Sequence, residues 1–161
     1  MRKGERYVLG GMALLVMAGV LRAVLHEPAA REHEIPYFST ASAELGRDAG
    51  DLLRQQGCRQ CHSLWSTRDP LQAVPAPMLD GMGSLRTQEW LYAYLSAPVP
   101  QQILPSRLKP EYRMPSYAAL PEAQRRTLAA YLASLQVKDW YLDQTRRLEH
   151  DKLTGEDTAE K

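Results

Sequence analysis

The chain has 161 residues, room for one ordinary domain with appendages, and a formal net charge of +1. So balanced a charge gives no basis for nucleic-acid binding, which needs a basic surface to neutralise phosphates. Aromatic content is modest, with a single Phe, and two cysteines are too few for a disulfide framework of more than one bridge.

Residues 1–25 read as a membrane anchor. Met1 to Arg6 carries Arg2, Lys3 and Arg6 against Glu5, and Tyr7 to Leu25 is apolar except for Arg22. The stretch is close to the ~20 residues that cross a bilayer as a helix, and Arg22 lies near enough to its end to snorkel to the headgroups. The rival is a cleaved signal peptide, but the best cleavage site, Pro28-Ala29-Ala30, is a poor one. The basic end stays in the cytoplasm. Either reading exports the rest of the chain to the periplasmic side of a bacterial inner (cytoplasmic) membrane. Residues 26–41, with Pro28 and Pro36, read as a linker, and His26 and His33 as solvated.

Ser42 is a plausible N-cap, with Glu44 in the first turn of a helix that runs to about Gln56 and ends at Gly57. Leu45, Ala49, Leu52 and Leu53 share one face. Gly46 and Gly50 inside it suggest close approach by another helix.

Cys58-Arg59-Gln60-Cys61-His62 follows, a C-x-x-C-H. This is the attachment pattern of a c-type haem. The two thiols add across the haem vinyl groups and the next imidazole reaches the iron. A redox dithiol would sit in a βαβ pattern, and no strand-like runs are evident. Structural zinc needs four N or S ligands, whereas these are the only cysteines and His26, His33 and His150 lie far off without paired spacing.

Residues 63–86 carry Pro70, Pro75, Pro77, Gly81 and Gly83 and read as a loop wrapped around the haem. Thr87 caps a short helix with Trp90, Leu91, Tyr94 and Leu95 as its apolar stripe, and Pro98 stops it. Pro98 to Lys109 is irregular. Met114, in Arg113-Met114-Pro115, is the expected sixth iron ligand: it sits in a proline-fixed loop, far enough from His62 for the chain to pass around the porphyrin. Met78 and Met82 read as apolar filler. A closing helix begins at Leu120-Pro121-Glu122, with Leu128, Tyr131, Leu132 and Leu135 on one face. A further helical segment, Lys138 to Leu153, carries Trp140, Tyr141 and Leu142, and a polar tail follows.

Residues 42–136 resemble the class I cytochrome c family. The resemblance rests on the helix leading into C-R-Q-C-H, on A-P-M-L-D-G, on R-M-P-S-Y and on the closing L-A-A-Y-L helix. It implies an all-α fold, here preceded by a single transmembrane helix (residues 1–25 and linker 26–41) and followed by a C-terminal helical extension and tail (137–161). It implies one covalently bound haem c, with Cys58 and Cys61 as attachment points and His62 and Met114 as axial ligands. It also implies that Pro77 packs by the proximal histidine while its loop supplies a carbonyl to the imidazole N–H. Ala76 stands where the family usually has glycine. By the same resemblance Gly50 marks the crossing of the first and last helices, facing Leu128 and Tyr131.

The expected activity is single-electron transfer without catalysis by the chain itself, since both axial positions are filled. The expected partners are a membrane respiratory complex, a soluble periplasmic carrier, or both, with lipid around the anchor. One anchor plus one haem domain is similar to the small cytochrome subunit of bacterial nitric oxide reductases, and oxidases and dehydrogenases have comparable subunits. The Lys138–Leu153 segment is the expected complex-specific contact. Arg54, Arg59, Arg68, Arg107 and Arg113 are candidates to ring the haem edge or bind its propionates, against the alternative of a solvated mixed surface. The alternative function is a haem-based sensor or gas-binding protein with a labile sixth ligand. A peroxidase is disfavoured because no histidine besides His62 falls in the haem domain.

Overall fold

A computed structural model describes residues 3–25, 34–70 and 74–156. The readings made for Arg2, His26, His33, the Pro28–Ala30 stretch and the last tail residues lie outside them. The chain divides into two compact units, Met1–Ile35 and Pro36–Lys161.

The first unit is one helix, α1 (Lys3–Leu25). Its described side chains are exposed on every face, including Leu14, Leu15, Val16 and Met17. The side chains at 3, 5, 6, 8, 9 and 23–25 lie outside the description. Among the described residues no helix is long and apolar enough to cross a membrane.

The second unit is mostly helical. α2 (Ala43–Gln55) begins where the Ser42 hydroxyl accepts the Leu45 N–H at 3.1 Å, satisfying one of the four orphan donors of a helix start. α3 (Met82–Leu85) is a single turn inside the stretch read as loop. α4 (Gln88–Ser96) starts on Thr87, whose hydroxyl accepts from the Trp90 N–H at 3.2 Å. α5 (Glu122–Ser134) follows Pro121, which stands just outside the helix instead of at its first position. α6 (Asp139–Thr154) closes the unit at Gly155, in the left-handed conformation with φ +80°. Leu52, Leu53, Leu91, Leu95, Leu128 and Leu132 form the centre of the core, where α5 packs on both α2 and α4.

Further expectations are corrected, among them Leu135, which lies in a strand and not on the face of the closing helix. Strands exist: β1 (Tyr37–Ser39), assigned to the linker on sequence, pairs antiparallel with β2 (Leu135–Val137), in the register Tyr37↔Val137 and Ser39↔Leu135. Bonds from Thr40 N–H to the Ser134 carbonyl (3.0 Å) and from Lys138 N–H to the Pro36 carbonyl (2.8 Å) extend the pairing. Gly50 is not the crossing point of α2 and α5, since a Cβ there, or at Gly46, would meet nothing within 4 Å. Ala49, fully buried on the face shared with Leu52 and Leu53, joins the core cluster that includes Leu128 and Ala129 of α5; its neighbour Gly50 is rotated about 100° around the helix. The close approach lies at Gly83 of α3, where a Cβ would collide with the Ala133 carbonyl of α5.

Candidate functional site

Gly57 sets the local geometry. It takes φ +65°, which glycine adopts without steric cost, and turns the chain out of α2 into a short 3-10 turn over Cys58–Gln60. The His62 N–H then bonds to the Cys58 carbonyl at 3.0 Å. This coil brings Cys58, Cys61 and His62 to the wall of one cavity of about 260 Å³.

The imidazole is fixed from behind. His62 Nδ1 donates to the Pro77 carbonyl oxygen at 2.6 Å, so the Nε2 lone pair is the one left for a metal. Burial pushes the His62 pKa down, with the Pro77 carbonyl opposing, and this favours the neutral, coordinating form. The Pro77 loop is held in turn by the Leu79 N–H, which bonds to the Ser63 carbonyl at 2.9 Å.

Asp80 ties the same loop to the residues after the motif. Its carboxylate accepts the Trp65 N–H at 2.6 Å and the Ser66 N–H at 3.2 Å. Trp65 and Ser66 both sit at positive φ, +55° and +54°, a conformation that costs non-glycine residues energy unless the surroundings hold it. Leu64 and Thr67 exchange reciprocal backbone bonds of 3.1 Å across this tight turn. Asp80 is only 1% exposed; burial pushes its carboxyl pKa up, while the donors of Ser66 and Trp65 hold back part of the rise.

Met114 lines the same cavity. Gln101 Nε2 donates to the Met114 carbonyl at 2.8 Å, and the Ser116 hydroxyl donates to the Ala97 carbonyl at 2.7 Å. These bonds pin the Arg113–Ser116 segment near the end of α4. Met82 is buried in the core and also lines the cavity, whereas Met78 does not line it. Of the five arginines singled out on sequence, Arg107 and Arg113 line the cavity and Arg54, Arg59 and Arg68 do not. Arg59 bonds to the Thr67 hydroxyl at 2.6 Å, and Arg54 pairs with Asp51 on the surface.

Several cavity residues escaped sequence reasoning. Trp90 and Tyr94, stacked with centroids 5.1 Å apart, were legible as a helix stripe but not as cavity wall. Tyr117 lines the cavity beside them; burial first, then the Cys58 sulfur, pushes its pKa up to about 12. Glu149, Lys152 and Leu153 reach the cavity from α6.

A family model, described as Cytochrome c, matches residues 48–136, more than half the chain. The chain belongs to the cytochrome c family. No curated protein and no solved structure gives a significant match. Covalently attached haem c is the cofactor of this cytochrome family, and Cys58 and Cys61 stand in its C-x-x-C-H position. The residues present fit the group: two thiols and an imidazole with one committed nitrogen share a cavity with aromatic and aliphatic side chains. When bound, the haem supplies a one-electron redox centre. The cytochrome is therefore an electron-transfer protein.

Proposed function

We propose that this cytochrome is a membrane-anchored single-haem electron carrier, acting as a subunit of, or donor to, a respiratory membrane complex, with His62 and Met114 as the two axial iron ligands. The observation that carries the ligand assignment is that Met114 and His62 line the same cavity as the two cysteines. The Pro77 carbonyl orients the His62 ring, and Gln101 holds the Met114 backbone. Met/His ligation raises the potential and suits electron transfer, and a filled sixth position leaves no place for substrate.

Support for the anchor comes from the sequence of α1 and its exposure. A helix that is apolar on every face needs an apolar surrounding, and Met12, Leu14, Leu15, Val16, Met17, Val20 and Leu21 are each 58–73% exposed. The basic residues Arg2, Lys3 and Arg6 at its N-terminal end support an orientation with the haem domain on the periplasmic side.

The test is an absorption spectrum of the full chain, oxidised and reduced, with and without CO. A low-spin spectrum unchanged by CO supports the His62/Met114 carrier. A large CO shift in the wild type refutes it and favours a gas-binding protein. For the anchor, washed membranes are extracted with alkaline carbonate: retention of the full-length chain supports it, and recovery of a shortened soluble chain refutes it in favour of a cleaved signal.

A further inference from the structure

One wall of the cavity lies beyond the region the family model matches, which ends at residue 136. Glu149, Lys152 and Leu153, at helical spacings of three and four, present one face of α6 to it. Arg107 lines the cavity from the loop before Met114 and packs against the end of the same helix. A Cβ at Gly155 would come within 2.8 Å of its guanidinium carbon. Lys152 lies one turn before Gly155, so both cations stand at the C-terminal end of α6.

The nearby carboxylate is already committed. Glu149 pairs with Arg86 at 3.1 Å, their side chains only 12% and 24% exposed. The Arg86 guanidinium also lies over the Trp90 ring, 5.0 Å from its centroid, and so joins α6 to the cavity wall. Among the described residues neither Arg107 nor Lys152 forms an ion pair. An apolar cleft bordered at one end by two such cations suits a flat apolar ligand with an anionic edge, and haem carries two carboxylates on one edge.

We infer that α6 is part of the haem site: Lys152 and Arg107 meet the propionate edge, Leu153 covers the ring beside them, and Arg86 holds Glu149 in a pair that neutralises it. This rests on the haem reading above and assigns the C-terminal segment to the cofactor instead of to a partner complex. Oxidation adds positive charge at the iron, so nearby cations disfavour the oxidised form. Their removal therefore lowers the reduction potential.

The experiment compares midpoint potentials of the full-length haem-loaded chain as wild type, Lys152→Gln, Arg107→Gln, the double variant and Arg147→Gln. Arg147, on the same helix but not lining the cavity, controls for a general surface-charge effect. The expected result is a lower potential in each single cavity variant, a larger fall in the double, and a smaller change in Arg147→Gln. A double variant with the wild-type potential overturns the inference, as does a fall of equal size in the control. Failure of the underlying haem reading is separately visible, as wild-type protein with no covalently attached haem on a denaturing gel stained for haem.

Discussion

The Asp80 carboxylate accepts the backbone N–H of Trp65 at 2.6 Å, from within a site where Asp80 is only 1% exposed. One buried acid thus holds both the left-handed turn after the C-x-x-C-H motif and the loop that carries Pro77. Asp80→Ala should cost about 1–3 kcal/mol, because the N–H groups of Trp65 and Ser66 lose their acceptor. Burial raises the folded-state pKa, so the folded protein binds this proton more readily than the unfolded chain. The group's stabilising contribution is fully present below the ordinary Asp pKa of about 3.9 and is lost as pH rises through the raised folded value. Asp80→Asn, neutral throughout, should flatten that decline; urea denaturation at stepped pH measures it.

Met114→Ala should open the sixth iron position. The expected result is CO binding by the reduced protein and a fall in potential that is a sizeable fraction of the about 0.8 V set by axial ligands. Spectroelectrochemical titration measures the fall, and an unchanged spectrum and potential would remove Met114 from the iron.

The glycines of α2 and α3 should respond oppositely to a methyl group. Gly50→Ala enters open space inside a helix and should stabilise by up to about 1 kcal/mol. Gly83→Ala meets the Ala133 carbonyl and should destabilise by about 1–3 kcal/mol through overpacking. Thermal melts of the pair decide it, and equal shifts of one sign would contradict the packing.

Tyr37 donates to the Tyr141 hydroxyl at 3.2 Å. Burial first, then this bond, pushes the Tyr37 pKa up to about 12. A raised folded pKa means that its stabilising contribution is complete below the unfolded value near 10 and is lost as pH climbs through about 12. Tyr37→Phe should therefore make the alkaline fall in stability shallower. Tyr94, Tyr117 and Tyr131, whose pKa values are also raised, keep the remaining slope.

Much of this organisation was legible because its signals are local. Ser42 and Thr87 announce the starts of α2 and α4 through their own hydroxyls, and Gly57 turns the chain at the residue before Cys58. The strands were not legible, because Tyr37–Ser39 and Leu135–Val137 are too short for period-two alternation and exist only through each other. Gly50 suggests close approach by another helix, yet the space beside it is open, and it is Ala49 that is fully buried. The convergence of Glu149 and Lys152 on the cavity depends on tertiary packing that no spacing encodes.

The pairing of β1 with β2 also constrains the order of events as the protein is made. The two strands lie at opposite ends of the haem domain, and closing so long a loop is slow compared with helix formation. A chain emerging from its N-terminus presents Cys58 and Cys61 well before Leu135–Val137 exist to fasten the ends, and before α6 arrives at the cavity. The thiols thus have an interval of open access in which to be modified, before the residues of β2 and α6 that follow them in sequence are in place.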